Sequence, residues 1–209
     1  MSYPTTGSQA ELQAINQILM SVGQAPVTTL ERTNPDVAIC WDTLTECSRE
    51  VQSEGWTFNR EYDYPMTPNE NKNIVYPANV LQMDISNNPE YYTGKQYDTV
   101  KRDGKLYDRR AHSYEFTETI YCDIKWLFAW EDLPTPIQDY ITAKAATMVS
   151  NRIVGDPNQY QILQQNEGYT RAMALEYETN QGDYSFFGFP RRGTNYVSYR
   201  PYQAMNRIA

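Results

Sequence analysis

The chain has 209 residues, 40% of them hydrophobic and 21% charged, which describes one folded domain or two small ones and excludes a disordered protein. A chain of this size buries enough surface to fold without disulfides or metals. No apolar run approaches the roughly 20 residues that cross a bilayer. The opening MSYPTTGSQAE has neither the basic region nor the apolar core of a secretory signal, so synthesis and first folding in a cytoplasm are expected. The net charge is −8, but residues 184–209 carry Arg191, Arg192, Arg200 and Arg207 and no acid; removing that +4 leaves −12 on residues 1–183. So acidic a body repels phosphate, which argues against a conventional basic nucleic-acid surface.

Taken in chain order, Ser8-Gln-Ala-Glu11 reads as a capping box. Leu12, Ile15, Leu19 and Val22 then form one apolar stripe, and Gly23 and Pro26 stop the helix, predicting 8–22. Asn34 caps a second helix, with Pro35 at its first position and Val37, Cys40, Trp41, Leu44 and Val51 on its inner face; Gly55 closes it, predicting 35–53. The period then falls to two. Leu81, Met83 and Ile85 alternate with Gln82 and Asp84, and Asp103-Gly104 carries the signature of a type I′ hairpin. Across 116–128 the even positions are apolar except Glu118, which predicts a long strand with one buried face.

Helical signals return at Thr135-Pro136-Ile137-Gln138, a second capping box, followed by Ile137, Ile141, Ala145 and Met148; this predicts 136–154, ended by Gly155. Asp156-Pro157 opens a last helix, 157–180, whose centre, Gln164-Gln-Asn-Glu167, is polar nearly all round. Beyond Gly182 the chain has no period, and Gly188, Pro190, Gly193 and Pro201 interrupt it. The order implies an α+β protein: a four-helix, bundle-like unit from 1–55 and 133–182, an inserted antiparallel β-sheet or barrel at 56–132, and an irregular C-terminal tail at 183–209.

Signs of catalysis are sparse. Cys40, Cys47 and Cys122 lack C-x-x-C spacing and read as reduced, buried hydrophobes; His112 has no metal-ligand partner at motif spacing. No cofactor or metal is implied, and no phosphate loop, G-x-S-x-G or H-E-x-x-H occurs. A glycosidase pair would have to come from Glu115/Glu118 or Glu131/Asp132, with Glu118 as general acid if it sits on an apolar strand face. The commoner reading of Glu118 is a rim position or an ion pair with Lys125, Arg109 or Arg110. Tyrosine is abundant, 18 residues, and suits protein interfaces. Arg191-Arg192 and the neighbouring aromatics could stack single strands, but docking on an acidic protein groove is the favoured expectation.

The run Ala14-Ile-Asn-Gln-Ile-Leu-Met-Ser-Val-Gly-Gln-Ala-Pro-Val-Thr-Thr-Leu-Glu31 resembles the opening helix and loop of the tail tubular protein A family of autographivirus-type short-tailed phages. Gly55-Trp-Thr-Phe-Asn59 after Val51-Gln-Ser, Asp132-Leu-Pro134 and Asn151-Arg-Ile-Val-Gly155 resemble it too, and weaker similarity runs through 174–182. The resemblance covers most of 8–182. It implies a homo-oligomeric adaptor ring of twelve copies that joins the portal to the nozzle (tail tubular protein B), with fibres near that junction. Double-stranded DNA would pass through it without sequence-specific binding, and no membrane is involved. On that reading Leu12, Ile15, Leu19, Trp41, Ile137 and Ile141 are expected to pack the ring-forming helices. Phe186, Phe187, Arg191, Arg192, Tyr199 and Tyr202 are expected to grip the portal. Trp56 and Phe58 are expected to pin the helix-to-strand transition. The alternative is a tail-associated polysaccharide hydrolase, since such activity has been suggested for some members.

Overall fold

The computed structural model describes residues 9–86 and 97–182. Ser8 and the six expected portal-gripping residues (Phe186, Phe187, Arg191, Arg192, Tyr199 and Tyr202) lie outside the described residues. Helices α1 (Gln9–Ser21) and α2 (Pro35–Glu54) come first, and α3 (Thr135–Ile153) and α4 (Pro157–Gly182) last. Between them run β1 (Arg60–Met66), β2 (Val80–Ile85), β3 (Thr99–Arg102), β4 (Lys105–Asp108) and β5 (Ile120–Trp126). The α+β class expected from the order of periodicities holds, and the four expected helices end within two residues of their predicted limits.

The helix signals act largely as predicted. Asn34 accepts a hydrogen bond from the Asp36 amide at 3.0 Å, with Pro35 in the first turn of α2. The second capping box is a correction. Pro134, not Thr135, is the N-cap of α3, and Gln138 donates to the Trp130 carbonyl at 2.7 Å. A 3-10 turn at Trp130–Asp132 brings that carbonyl within reach, which local spacing does not encode.

α3 is the centre of the helical unit, packed on α1, α2 and α4. The expected stripe of Ile137, Ile141, Ala145 and Met148 describes only part of it, because Tyr140, Ala143, Ala146 and Val149 are buried as well. A helix covered all round needs apolar or small residues all round. Ala143, Ala145 and Ala146 keep it thin enough for three helices to approach. Ile15, Leu19, Trp41, Leu44, Val51, Trp56 and Leu133 complete this core.

A second cluster sits among the strands: Met66, Ile74, Val80, Leu106, Phe116, Ile120, Cys122 and Ile124. β1, β5 and β2 form an antiparallel sheet with β5 in the middle, while β3 and β4 pair separately. Among the described residues the strands therefore make two open sheets and no closed barrel. The Asp103-Gly104 turn joins β3 to β4 with φ of 51° and 71°, and Arg102 faces Lys105, as type I′ requires. The long strand expected at 116–128 shortens to β5. Phe116 is buried from a loop, its amide donating to the Lys72 carbonyl at 2.8 Å, and residues 117–119 leave the sheet. The period-two pattern thus merged a strand with a loop residue that fills the same core.

All three cysteines are free and buried. Burial pushes their thiols up from 9.0, Cys40 to about 11 and Cys47 and Cys122 to about 12. The native thiol thus ionises later than the unfolded one. The stability this contributes is complete below pH 9.0 and is lost as pH rises toward 11 to 12. The urea midpoint is expected to hold up to pH 8 and fall between about pH 9 and 11. At pH 8 a thiol reagent should leave the native protein untouched and titrate all three cysteines in urea. Rapid native labelling would contradict the burial of these side chains.

Candidate assembly surfaces

No cluster of three or more metal-ligating side chains occurs among the described residues, nor any helix long and apolar enough to cross a membrane. What the fold builds with care is a junction and a set of outward helix faces. The junction lies where α2 gives way to β1 and β5 returns to α3. Gly55 ends α2 with φ of 82°. A Cβ there would lie 2.5 Å from Lys125 Cε and 2.6 Å from Arg60 Nη2. Those two cations cap the helix: Arg60 donates to the Gly55 carbonyl at 2.7 Å and Lys125 to the Ser53 carbonyl at 3.2 Å. Burial first, and then the Arg60 charge, lower the Lys125 ammonium from its ordinary value.

Trp56 is buried and donates its indole N–H to the Val51 carbonyl at 2.7 Å, while Phe58 packs against Phe128 with ring centroids 6.3 Å apart. Two polar side chains complete the knot. Asn59 donates to the Gln52 and Trp126 carbonyls at 2.8 and 2.9 Å and accepts from the Trp56 amide at 2.8 Å. Gln52 donates to the Phe128 carbonyl at 3.2 Å and accepts from the Phe128 amide at 2.8 Å. Both are fully buried, and sequence reasoning passed over them. The available signal was Asn59 closing an aromatic motif just after a helix stop, where buried backbone groups need partners.

α4 is attached differently. In its middle only Ala174 is buried, with Leu163 half-buried against the core. Polar contacts supply the rest. Arg171 donates to the Tyr140 hydroxyl at 2.5 Å and to Glu54 at 3.1 Å, and these partners, Tyr140 foremost, raise its guanidinium further above its ordinary value. Glu178 accepts from the Thr57 amide at 2.9 Å and hydroxyl at 2.7 Å, and Gln159 donates to the Ser21 carbonyl. Lys144 of α3 pairs with Glu50 at 2.9 Å. Burial alone would lower its ammonium, but the hydrogen bond it donates to Glu50 and the neighbouring Tyr140 leave it raised.

These positions correct two expectations. Ile15, Leu19, Trp41, Ile137 and Ile141 are buried inside the subunit, and Leu12 is half-buried, so five of the six expected ring-packing residues present no surface to a neighbour. They hold the helices whose outer faces are left for contact. Glu118 stands ahead of β5, half-buried in irregular chain and not on an apolar strand face, which removes the geometric reason for casting it as a general acid. The expected capping box cannot be read because Ser8 lies outside the described residues, but Glu11 is buried and accepts the Trp41 indole N–H at 2.9 Å. That buried pair ties α1 to α2.

The outward faces differ in charge. α2 exposes Arg49 and the acids Asp42, Glu46, Glu50 and Glu54, which pair with Arg32, Arg152, Lys144 and Arg171, whereas the exposed side chains of α1 are uncharged. α4 exposes Ile162, Tyr169, Met173 and Leu175.

Residues 12–184 match the family described as Tube, tail tubular protein, which spans the four helices and the strands between them. The chain is similar to tail tubular protein A of Klebsiella phage KP34, at 28% identity over 175 residues, covering 82% of this chain and 88% of that protein. The chain belongs to the tail tubular protein family, whose members are structural components of the phage tail.

Proposed function

We propose that this tail protein is the subunit of an adaptor ring that connects the portal to the tail nozzle and fibres and forms part of the channel through which DNA is ejected. The observation that carries this reading is the family match over 12–184, together with a body whose charge of −12 on residues 1–183 suits a duplex that must slide and not stick. Twelve copies, assembled in the host cytoplasm, are the expected stoichiometry. The helices from 1–55 and 133–182 form the ring, the inserted strands of 56–132 face nozzle and fibres, and the tail of 183–209 grips the portal. Its Arg191, Arg192, Phe186, Phe187, Tyr199 and Tyr202 belong to the residue types that dominate protein interfaces.

Co-expression with the cognate portal, followed by electron microscopy, tests the ring. A twelve-fold layer added to the portal is expected; a chain that stays monomeric beside free portals would overturn it. A chain ending at Asp183 tests the tail. It should fold with an unchanged thermal midpoint yet bind portals at least about a hundredfold more weakly, given hot-spot contributions of 2 kcal/mol or more. Full portal assembly by the shortened chain would place the grip elsewhere.

A further inference from the structure

Residues 1–183 carry a charge of −12, yet their cations are unevenly used. In the helical unit Arg32, Lys144, Arg152 and Arg171 each hold an acid, and exposed Arg49 is the exception. The β3–β4 hairpin is the reverse. Residues 101–110 carry Lys101, Arg102, Lys105, Arg109 and Arg110 against Asp103 and Asp108, a local charge of +3. Asp108 is buried and accepts the Asp98 and Arg110 amides. Asp98 holds Arg109 at 2.6 Å, whereas Lys101, Arg102 and Lys105 make no ion pair among the described residues.

Aromatic rings, not carboxylates, place two of these cations. The Arg102 guanidinium lies 4.1 Å from the Tyr107 ring centroid, and the Lys101 ammonium 4.3 Å from that of Tyr76. Tyr107 meets Tyr114 edge-on with centroids 4.9 Å apart, and the Tyr114 hydroxyl donates to Asp103 at 2.8 Å, so the platform under Arg102 is itself fixed. A guanidinium stacked on a ring keeps its N–H edges for a planar anion. Arg102 stands opposite Lys105, and Lys105 opposite Val75, which puts the three in one row across the outer face at about 5 Å spacing. Val75 is 57% exposed, while Ile74 and Leu106, on the other face, are buried in the strand-side core. Like charges directly opposite one another destabilise an antiparallel pair, and no acid of the described residues offsets this one.

We infer that the row Arg102–Lys105–Val75 seats on a carboxylate-bearing face of the tail protein that the inserted strands meet, the nozzle, with Arg102 taking one carboxylate through two N–H groups. The inference rests on the adaptor reading above and names the surface of the insert that makes this joint and the chemistry its partner offers. Charge identifies that chemistry. Cations left without acids inside an acidic subunit are complementary to acids outside it. The phosphates of a duplex are the other common polyanion, and the same patch disfavours them. Val75 gains from burial against a protein, which a sugar–phosphate backbone offers little of. Asp103 at the turn and exposed Glu115 repel phosphates, whereas a protein face can set donors opposite them. Arginine and tyrosine are also the residue types that dominate protein contacts.

Binding of purified cognate nozzle protein to portal-bound rings tests this, with the unmodified chain beside one carrying Arg102→Glu and Lys105→Glu. The double variant exchanges one like-charged pair for another on an outward face. It should therefore keep the circular dichroism and thermal midpoint of the free subunit and the ring yield on portals. Its nozzle affinity should fall about a hundredfold or more, and the fall in affinity of the unmodified rings from about 50 to 500 mM salt should be flattened. Arg102→Lys keeps the charge and loses the planar fork, and should weaken the joint about tenfold. A short labelled DNA duplex should show the same anisotropy with both chains. Unchanged nozzle affinity in the double variant would overturn the inference and leave the adaptor reading standing. So would loss of its rings on portals, which places the row between copies, and so would loss of duplex binding with the nozzle joint intact, which assigns the row to nucleic acid. Failure of the unmodified chain to form rings on portals would remove the adaptor reading itself, and this inference with it.

Discussion

Asn59→Ala is expected to destabilise the free subunit by about 3–4 kcal/mol, among the largest costs of any single truncation outside the apolar core. The side chain is fully buried and makes three hydrogen bonds to backbone groups. Alanine would take these bonds from the Trp56 amide and the Trp126 carbonyl in a site closed to water, while the Gln52 carbonyl keeps the Gly55 amide at 3.1 Å. Each orphaned group costs about 1–3 kcal/mol, partly recovered by relaxation. Urea unfolding followed by tryptophan fluorescence gives the value directly, and a loss below about 1 kcal/mol would show that the knot is redundant. Asn59→Asp separates polarity from shape. A carboxylate facing two carbonyls is disfavoured, so its folded pKa lies above the unfolded one. The variant's deficit should therefore be smaller at pH 4, where the protonated acid can donate, and grow as pH rises to 7.

Ala145→Leu should cost about 3 kcal/mol or prevent folding, against the 1–3 kcal/mol usual for overpacking, because α3 has no free side toward which to relax. Ala145 is wholly buried, with neighbours on every side of the helix. The same exchange at exposed Ala172 of α4 should change free-subunit stability by less than about 0.5 kcal/mol. Thermal unfolding of the two variants side by side gives the comparison. Equal stabilities would mean that α3 is not the shared centre of the helices.

Much of this architecture is legible in the amino-acid order because its signals are local. Asn34-Pro35 starts a helix, Asp103-Gly104 turns a hairpin, and Gly23, Gly55 and Gly155 adopt positive φ where helices stop. Each depends on a few adjacent dihedrals. The misreadings occur where a distant partner decides. Gln138 bonds Trp130 and not its own helix end. Phe116 enters the strand-side core without belonging to a strand. Five of the six expected ring-packing residues turned out to be core for a related reason. Apolar periodicity finds the side of a helix that faces its own core, so Ile15, Leu19, Ile137 and Ile141 were natural choices yet lie inside.

The knot at the base of the strands has a mechanical side. β1 leaves the helical unit and β5 returns to it as paired neighbours, Arg60 opposite Lys125, so the two covalent leads into the insert run side by side. Gln52 and Asn59 stitch those leads to each other and to the end of α2. A pull on the outer strands is therefore shared by both leads and loads several hydrogen bonds at once, instead of peeling one helix away from the bundle. Force arriving from one end of such a subunit would reach α2 and α3 together, and the helical core would move as a block under strain.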